Sequence, residues 1–540
     1  MSSRAPPPSS GSTRQRWLAR SCLPAALVLI LAALVPAGAR SAGAEPSRAA
    51  DTLDINEYRV EGVQHLRPAE VEAALAPYLG PGRRREDVEA ARQALEKAYV
   101  DKGYQSVTVA IPPQTVRGGM VTLKVTESKV GRLRVNGSRW FSLSEIKREA
   151  PSVQEGTLPN LNELMQDIVV LNQLPDRRVT PSLHAGATAG TVDVDLNVED
   201  RLPLHASLEL NNRYSSETTP LRLNGTARYD NLWQQGHSLT LSFQVAPLHR
   251  PDAEVFSLTY LARFLDLPSL TLTLNGYVQN SDISTLGAGA VKGRGRTAGA
   301  RFSYALPGPA ELYHAVTAGI DYKYYGPDQP DDPYSLDLHY VPVLLQYTAA
   351  LAAGTSQSLL TASVVFNIRG LSSSDAHFDS KRYGATGTFI RFELDASRTQ
   401  DLGKGFQLFG RFQGFLSPNP LVPSEQISAG GVDSVRGYLE AQASGDRDLL
   451  GSVELRSPSF GQPLRLDEWR VHVFTEGGWV GVNDTLPEQQ SKFYLWSAGA
   501  GTRLRFKSLS GSLDLGIPFR TLNTTHRFEP RLQFSVTGEL

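Results

Sequence analysis

The chain has 540 residues, with 54 lysines and arginines against 55 aspartates and glutamates and a formal net charge of −1. That balance gives no global electrostatic case for nucleic acid as a partner. Cys22, the single cysteine, lies near the N-terminus, so the rest of the chain is excluded from disulfide and cysteine-metal chemistry.

Arg14, Arg16 and Arg20 precede an uncharged apolar run at 23–35, followed by the small residues Ala37-Gly38-Ala39 and Ala42-Gly43-Ala44. This is the pattern of a signal peptide, expected over residues 1–44. The run is shorter than the roughly 20 residues a spanning helix needs, and no comparable run follows. Any membrane crossing is therefore expected to use strands. A short segment, 45–54, comes next.

Two similar units are expected at 55–128 and 129–200, because Tyr58-Arg59-Val60-Glu61-Gly62 is matched 75 residues later by Leu133-Arg134-Val135-Asn136-Gly137. Each offers two helical stretches, 69–76 and 86–102 in the first unit, 143–149 and 161–174 in the second. Ser142 with Glu145 predicts a capping box at the start of one helix. Each unit closes on alternating strands ending near Glu127 and Val198, giving the order strand, helix, helix, strand, strand (βααββ). Three strands per unit leave open sheet edges, which accept an extended peptide as an additional strand.

Composition changes near residue 200. From 201 to 540 the helical patterns give way to sixteen candidate strands, typified by Leu239-Thr240-Leu241-Ser242-Phe243-Gln244-Val245, separated by Gly, Pro, Asn and Asp turns. Alternation over so many strands behind a signal peptide predicts a closed antiparallel transmembrane barrel, the one strand architecture that pairs every backbone group in lipid. The fold class is thus α+β repeats followed by an all-β barrel. Short inner turns are expected at Leu267-Pro268, Pro307-Gly308-Pro309 and Ala353-Gly354, and longer outer segments at 281–294, 326–334 and 370–381. The last strand is expected to keep one face at even-numbered positions from Phe528 through Leu532, Phe534 and Val536 to Leu540.

The longest outer segment, 417–448, contains Gly430-Gly431-Val432-Asp433-Ser434-Val435-Arg436-Gly437-Tyr438. With the signal peptide, the two units and the sixteen strands, this loop resembles the two-partner secretion transporters exemplified by FhaC and ShlB. Ile111-Pro112-Pro113-Gln114 with Gly118-Gly119, and Leu171-Asn172-Gln173-Leu174-Pro175-Asp176, are further family-like segments. The resemblance covers nearly the whole chain after residue 44. It implies that the two units are polypeptide-transport-associated (POTRA) domains. It also implies that the loop folds into the lumen, where its arginine meets an acidic residue on a barrel strand. Val435, Arg436, Gly437 and Tyr438 map to the loop motif. Phe474, Glu476 and Gly478 map to the strand, with Glu476 where the family more often has Asp. Many relatives carry an N-terminal plug helix; here only about ten residues separate 44 from the first strand, too few for a barrel-spanning helix, so none is expected.

Neither His-Glu-x-x-His, nor Gly-x-x-x-x-Gly-Lys-Ser/Thr, nor Gly-x-Ser-x-Gly occurs, so no catalytic site and no cofactor is expected. The resemblance implies an outer-membrane transporter that takes an unfolded exoprotein of haemolysin or adhesin type from the periplasm to the cell surface without ATP. Its expected partners are that exoprotein, outer-membrane lipid and, during biogenesis, the barrel-assembly machinery. Two rivals share parts of the pattern. A barrel-assembly factor uses the same loop motif but commonly carries more repeats, and a passive porin leaves both repeats without a task.

Overall fold

The computed structural model describes residues 52–540 apart from 217, 265–266, 285–290 and 328–333. The expected signal peptide, nearly all of 45–54 and the question of a plug helix there lie outside the described residues.

In the first unit, Glu57–Glu61 pairs in parallel with Met120–Glu127, which pairs antiparallel with Val107–Ala110. The helices Pro68–Leu75 and Arg85–Asp101 cover one face of this sheet. Ala91, Leu95 and Tyr99 recur at the four-residue spacing of a helix face and pack against Leu123 and Val125. Carboxylates cap both helices: Glu70 accepts the Arg67 amide at 3.0 Å and Asp87 accepts the Arg84 amide at 2.7 Å. An additional ribbon joins Leu53–Ile55 to Gly80–Arg83. Sequence alternation does not announce it, because Gly80-Pro81-Gly82 reads as a turn.

The second unit repeats the order with Lys129–Asn136, Leu143–Arg148, Leu161–Leu171, Arg177–Ala185 and Thr191–Asp200. Its last strand again lies in the middle of the sheet, so Lys129–Asn136 and Arg177–Ala185 are the two edges. The helix at Leu143 starts where expected, but the predicted Ser142–Glu145 capping box does not form. The Ser142 amide is instead taken at 2.8 Å by Gln234 Oε1 of the barrel, and the Glu145 carboxylate pairs with Arg148. A tertiary acceptor has displaced the local one. The Leu161–Leu171 helix has a true side-chain cap, with Asn160 Oδ1 accepting the amides of Asn162 (2.9 Å) and Glu163 (3.4 Å).

Sixteen antiparallel strands close into a barrel, from Leu204–Asn211 to Arg531–Glu539. One is interrupted at Val341, with Leu338–Tyr340 and Pro342–Ala353 pairing successively with Leu312–Tyr325. Leu312–Tyr325 shows why these sequences make a wall: Val316, Ile320 and Tyr322 are exposed on the lipid side, while Thr317, Asp321 and Lys323 are buried inside. In the final strand Leu532 and Val536 point outward as the even-numbered alternation predicts; Phe528 precedes the strand at φ +62°. The closing seam is short. The last strand meets the first over five register pairs, Ser535↔Asn211 to Glu539↔Ser207.

Inner connections at 354–355, 404–405 and 507–508 are tight, whereas 457–467 is longer and includes a 3-10 turn at Gln462–Leu464. Two outer expectations are corrected. Most of 281–294 belongs to strands, since Leu270–Ser284 and Val291–Leu306 keep pairing out to Ser284↔Val291. Polar residues hydrogen-bond a ladder beyond the apolar band as well as apolar ones do, so loss of alternation does not end the strand. The long loop ends at 446 rather than 448, because Arg447 and Asp448 pair with Gly481 and Val480. The 370–381 segment contains the helix Asp375–Lys381.

Candidate functional site

The loop 417–446 is inside the molecule. Among its residues only Pro418 and Asp433 are exposed. It rises and returns as a narrow hairpin, with Ile427–Ala429 paired to Ala443–Gly445, and the glycine-rich motif forms its tip. Gly430 and Gly431 have φ of +109° and +96°, conformations that side chains disfavour.

At the tip, Arg436 is 4% exposed. Its Nε and Nη2 donate to Glu476 Oε1 at 3.0 and 2.6 Å, and its own amide donates to Glu476 Oε2 at 2.7 Å. Glu476 therefore fixes both the backbone and the side chain of the arginine. Its longer side chain, where Asp was the more familiar residue, fits without loss of contact. Ser452 donates to the same Oε1 at 3.1 Å. The flat face of the guanidinium lies 3.5 Å from the Phe474 ring centroid, a cation–π contact in a desolvated place.

Two further carboxylates share the arginine. Nη2 donates to Glu454 Oε2 at 2.9 Å and Nη1 to Asp514 Oδ1 at 3.0 Å. His472 Nε2 lies 2.6 Å from Asp514 Oδ1 and 3.4 Å from Arg436 Nη1. Arg456 and Arg503 reach Glu454 at 2.7 and 3.0 Å. Three guanidinium groups thus face three carboxylates, which offsets the desolvation cost of burying any of them.

Strand geometry assembles this cluster. His472, Phe474 and Glu476 are alternate residues of Glu468–Gly481 and so share the lumen face. Glu454 stands opposite Phe474 on one neighbouring strand, and Gly501 stands opposite His472 on the other. A Cβ at Gly501 would occupy the space of His472 and Asp514. Gly437 (φ +94°) lies against Gly516, where a Cβ would come within 3.1 Å of the Gly516 carbonyl carbon. Gly478 lies so close to the Leu449 carbonyl that a Cβ would collide with it. Val435 and Tyr438 are fully buried with Leu450, Val480, Leu495 and Leu522, and the Tyr438 hydroxyl donates to the Arg520 carbonyl at 2.9 Å.

All seven residues read from the sequence therefore converge here. Glu454, His472 and Asp514 were missed. The available signal was faint: each is a polar residue at an inward position, His472 on the strand of Glu476 itself, while only the strand order puts Glu454 on an adjacent strand and Asp514 on the strand beyond the other neighbour.

The root of the loop is held separately. Asp446, fully buried, accepts both terminal nitrogens of Arg382 at 2.5 and 2.8 Å, together with the amides of Leu421 (2.9 Å) and Asn483 (2.7 Å). Arg382 follows the helix Asp375–Lys381 and also donates to the carbonyls of Leu421 and Asn483, each at 2.7 Å. Between root and tip, Glu425 accepts from Lys323 (2.5 Å), Tyr340 (2.7 Å) and Arg391 (3.0 Å).

Residues 53–128 match the ShlB-type POTRA domain, and residues 190–504 match the family described as haemolysin secretion/activation protein ShlB/FhaC/HecB. The chain belongs to the ShlB/FhaC/HecB family. Among curated relatives, the outer membrane transporter CdiB of Escherichia coli is 24% identical over 500 residues, covering 90% of this chain and 81% of its own. The haemolysin transporter protein ShlB of Serratia marcescens is 24% identical over 498 residues, covering 87% and 82%. Among solved structures, CdiB from Escherichia coli superposes with a TM-score of 0.62 at 19% identity, covering 92% of this chain and 93% of that one. BamA from Haemophilus ducreyi lacking POTRA domains 1–3 gives 0.56 at 16% identity, with coverage of 90% and 100%. As a member of the ShlB/FhaC/HecB family, the protein is an outer-membrane transporter with its α+β units in the periplasm and a secreted exoprotein as partner.

Proposed function

We propose that the transporter captures its exoprotein unfolded on the α+β units, threads it through the barrel, and depends for this on the loop 417–446 held by Arg436 and Glu476. The single observation that carries the reading is the buried Arg436 cluster, which seats an outer loop in the lumen by charge pairs that water does not screen. An outer membrane offers neither ATP nor a proton gradient, so folding of the cargo outside supplies the drive.

Both units act as POTRA domains in this reading, with the second presenting the capture surface. Its strand Arg177–Ala185 is a free edge. On the neighbouring helix Leu161–Leu171, Met165 and Val169 stand one turn apart and are 58% and 65% exposed, and Leu183 is exposed on the strand itself. Backbone pairing along the edge is indifferent to sequence, and the apolar positions select alternate side chains of an extended segment. A photo-crosslinking residue at Met165 or Val169 in living cells should trap an unfolded exoprotein in transit. Trapping of nascent barrel proteins instead would favour the barrel-assembly function, and no adduct at either position would remove the capture surface.

A further inference from the structure

The segment Leu171-Asn172-Gln173-Leu174-Pro175-Asp176 takes no part in the lumen cluster, yet its last residue is the most enclosed charge of the second unit. The Asp176 side chain is 1% exposed. Oδ1 accepts from Arg201 Nε at 2.7 Å, Oδ2 faces His205 Nε2 at 2.8 Å, and the Asp176 carbonyl accepts the Arg201 amide at 3.0 Å. His205 belongs to the first barrel strand. The same Nε2 lies 3.5 Å from Oδ2 of Asp230 on the second barrel strand, and Arg228 donates to that oxygen at 2.8 Å. One imidazole N–H therefore stands between a carboxylate of the α+β unit and a carboxylate of the barrel. Two aspartates and a histidine are also metal-ligand types, but Arg201 and Arg228 already occupy carboxylate oxygens, which makes the group an ion-pair network.

The covalent connection here is minimal. The second unit's last strand ends at Asp200 and the barrel begins at Leu204. Such a linker fixes a distance but leaves rotation about a few backbone torsions. A second attachment, away from the linker, removes that rotation, and Asp176 provides it from the far end of the Leu161–Leu171 helix. Neighbouring contacts act in the same sense on the first inner turn, 233–236. The Trp140 carbonyl accepts from Asn231 Nδ2 and Gln234 Nε2, both at 3.3 Å. Gly236 lies against Leu174, where a Cβ would meet its methyls at 3.3 Å.

We propose that Asp176, His205 and Asp230 form an interdomain rivet that holds the second unit at one angle beneath the pore. Asp176 and His205 are then positioning residues: they touch no cargo but aim the capture surface at the lumen. The aiming role rests on the capture reading above, whereas the rivet itself does not.

The test uses the full chain in lipid nanodiscs, with Cys22→Ser removing the single native cysteine. Spin labels are placed at Ala187→Cys in the second unit and Ser508→Cys in an inner turn. Double electron–electron resonance on the parent should give a single narrow distance peak. Asp176→Ala and His205→Ala should each lose that peak to a broad distribution, with barrel folding verified by heat-modifiable mobility, and His205→Lys, which restores an N–H donor to Asp176, should recover it. Exoprotein export should fall with the peak and return with it. Should Asp176→Ala not fold, His205→Ala decides, because His205 is partly exposed. A narrow peak retained in folded His205→Ala would overturn the rivet. A broad distribution with undiminished export would leave the rivet standing and overturn its role in aiming the cargo.

Discussion

The tip and the root of the loop 417–446 are both pinned by an arginine paired with buried carboxylate, but in opposite ways. At the tip the arginine belongs to the loop and the carboxylates to the wall; at the root the carboxylate of Asp446 sits at the loop's end and Arg382 comes from another outer segment. Arg436 is shared among Glu476, Glu454 and Asp514 on three strands. Arg382 is committed to one carboxylate and two carbonyls. The tip is thus anchored to the transmembrane wall, and the root ties outer segments to each other. The tip's contacts seat the loop against the lumen wall, whereas the root's contacts join it to the segments that carry Arg382 and Asn483.

Breaking the tip should have the largest effect. Arg436→Ala leaves three buried carboxylates without their shared cation, a loss of about 3–5 kcal/mol by the usual cost of orphaning a buried charge. Thermal unfolding of the folded barrel should register it, along with altered pore conductance. Asp446→Ala should cost less, about 1–3 kcal/mol, because Arg382 keeps two carbonyl acceptors. Current recordings should show noisier gating around an unchanged mean conductance, since the tip stays seated. Gly437→Ala sharpens the contrast by straining the tip without removing charge. At φ +94° against Gly516, it should cost about 1–3 kcal/mol and reduce export while leaving every ion pair in place.

The smallest effect lies outside both ends, in the first unit. Burial acts against ionisation of Glu127, yet the Gln64 amide, the His65 ring, the Tyr99 hydroxyl and the His65 amide hold its carboxyl below the usual range. A depressed carboxylate contributes stability above its unfolded value and loses it as pH falls through the folded one. The first unit should therefore lose stability only on the acid side of the ordinary glutamate range. Glu127→Gln should lower protection of the first unit at neutral pH and, with that contribution gone, flatten the acid limb of a hydrogen-exchange pH series.

How much of this could be read in advance differs between tip and root for a physical reason. Arg436 stands in a run of glycines and Glu476 in a short strand segment with its own pattern, so both leave a local trace. Arg382 and Asp446 are joined across 64 positions of sequence and look like ordinary loop charges. The barrel was legible from alternation, which one-sided burial imposes on every strand. The strand extensions around Ser284 and Val291 were not, because outside lipid the ladder no longer selects apolar residues. The Ser142–Glu145 cap failed because Gln234, 92 positions away, offered the Ser142 amide a better acceptor. Local chemistry was visible wherever local partners prevailed.

We propose that Arg436 and Glu476 together hold the loop in the arrangement that transport requires. The most direct measurement pairs single-channel conductance in planar bilayers with exoprotein export in cells for the parent, Arg436→Ala and Glu476→Ala. Both variants should show altered conductance and reduced export, with the greater change in Arg436→Ala because Glu454 and Asp514 still hold the arginine when Glu476 is gone. Parental conductance and parental export in both variants would contradict it.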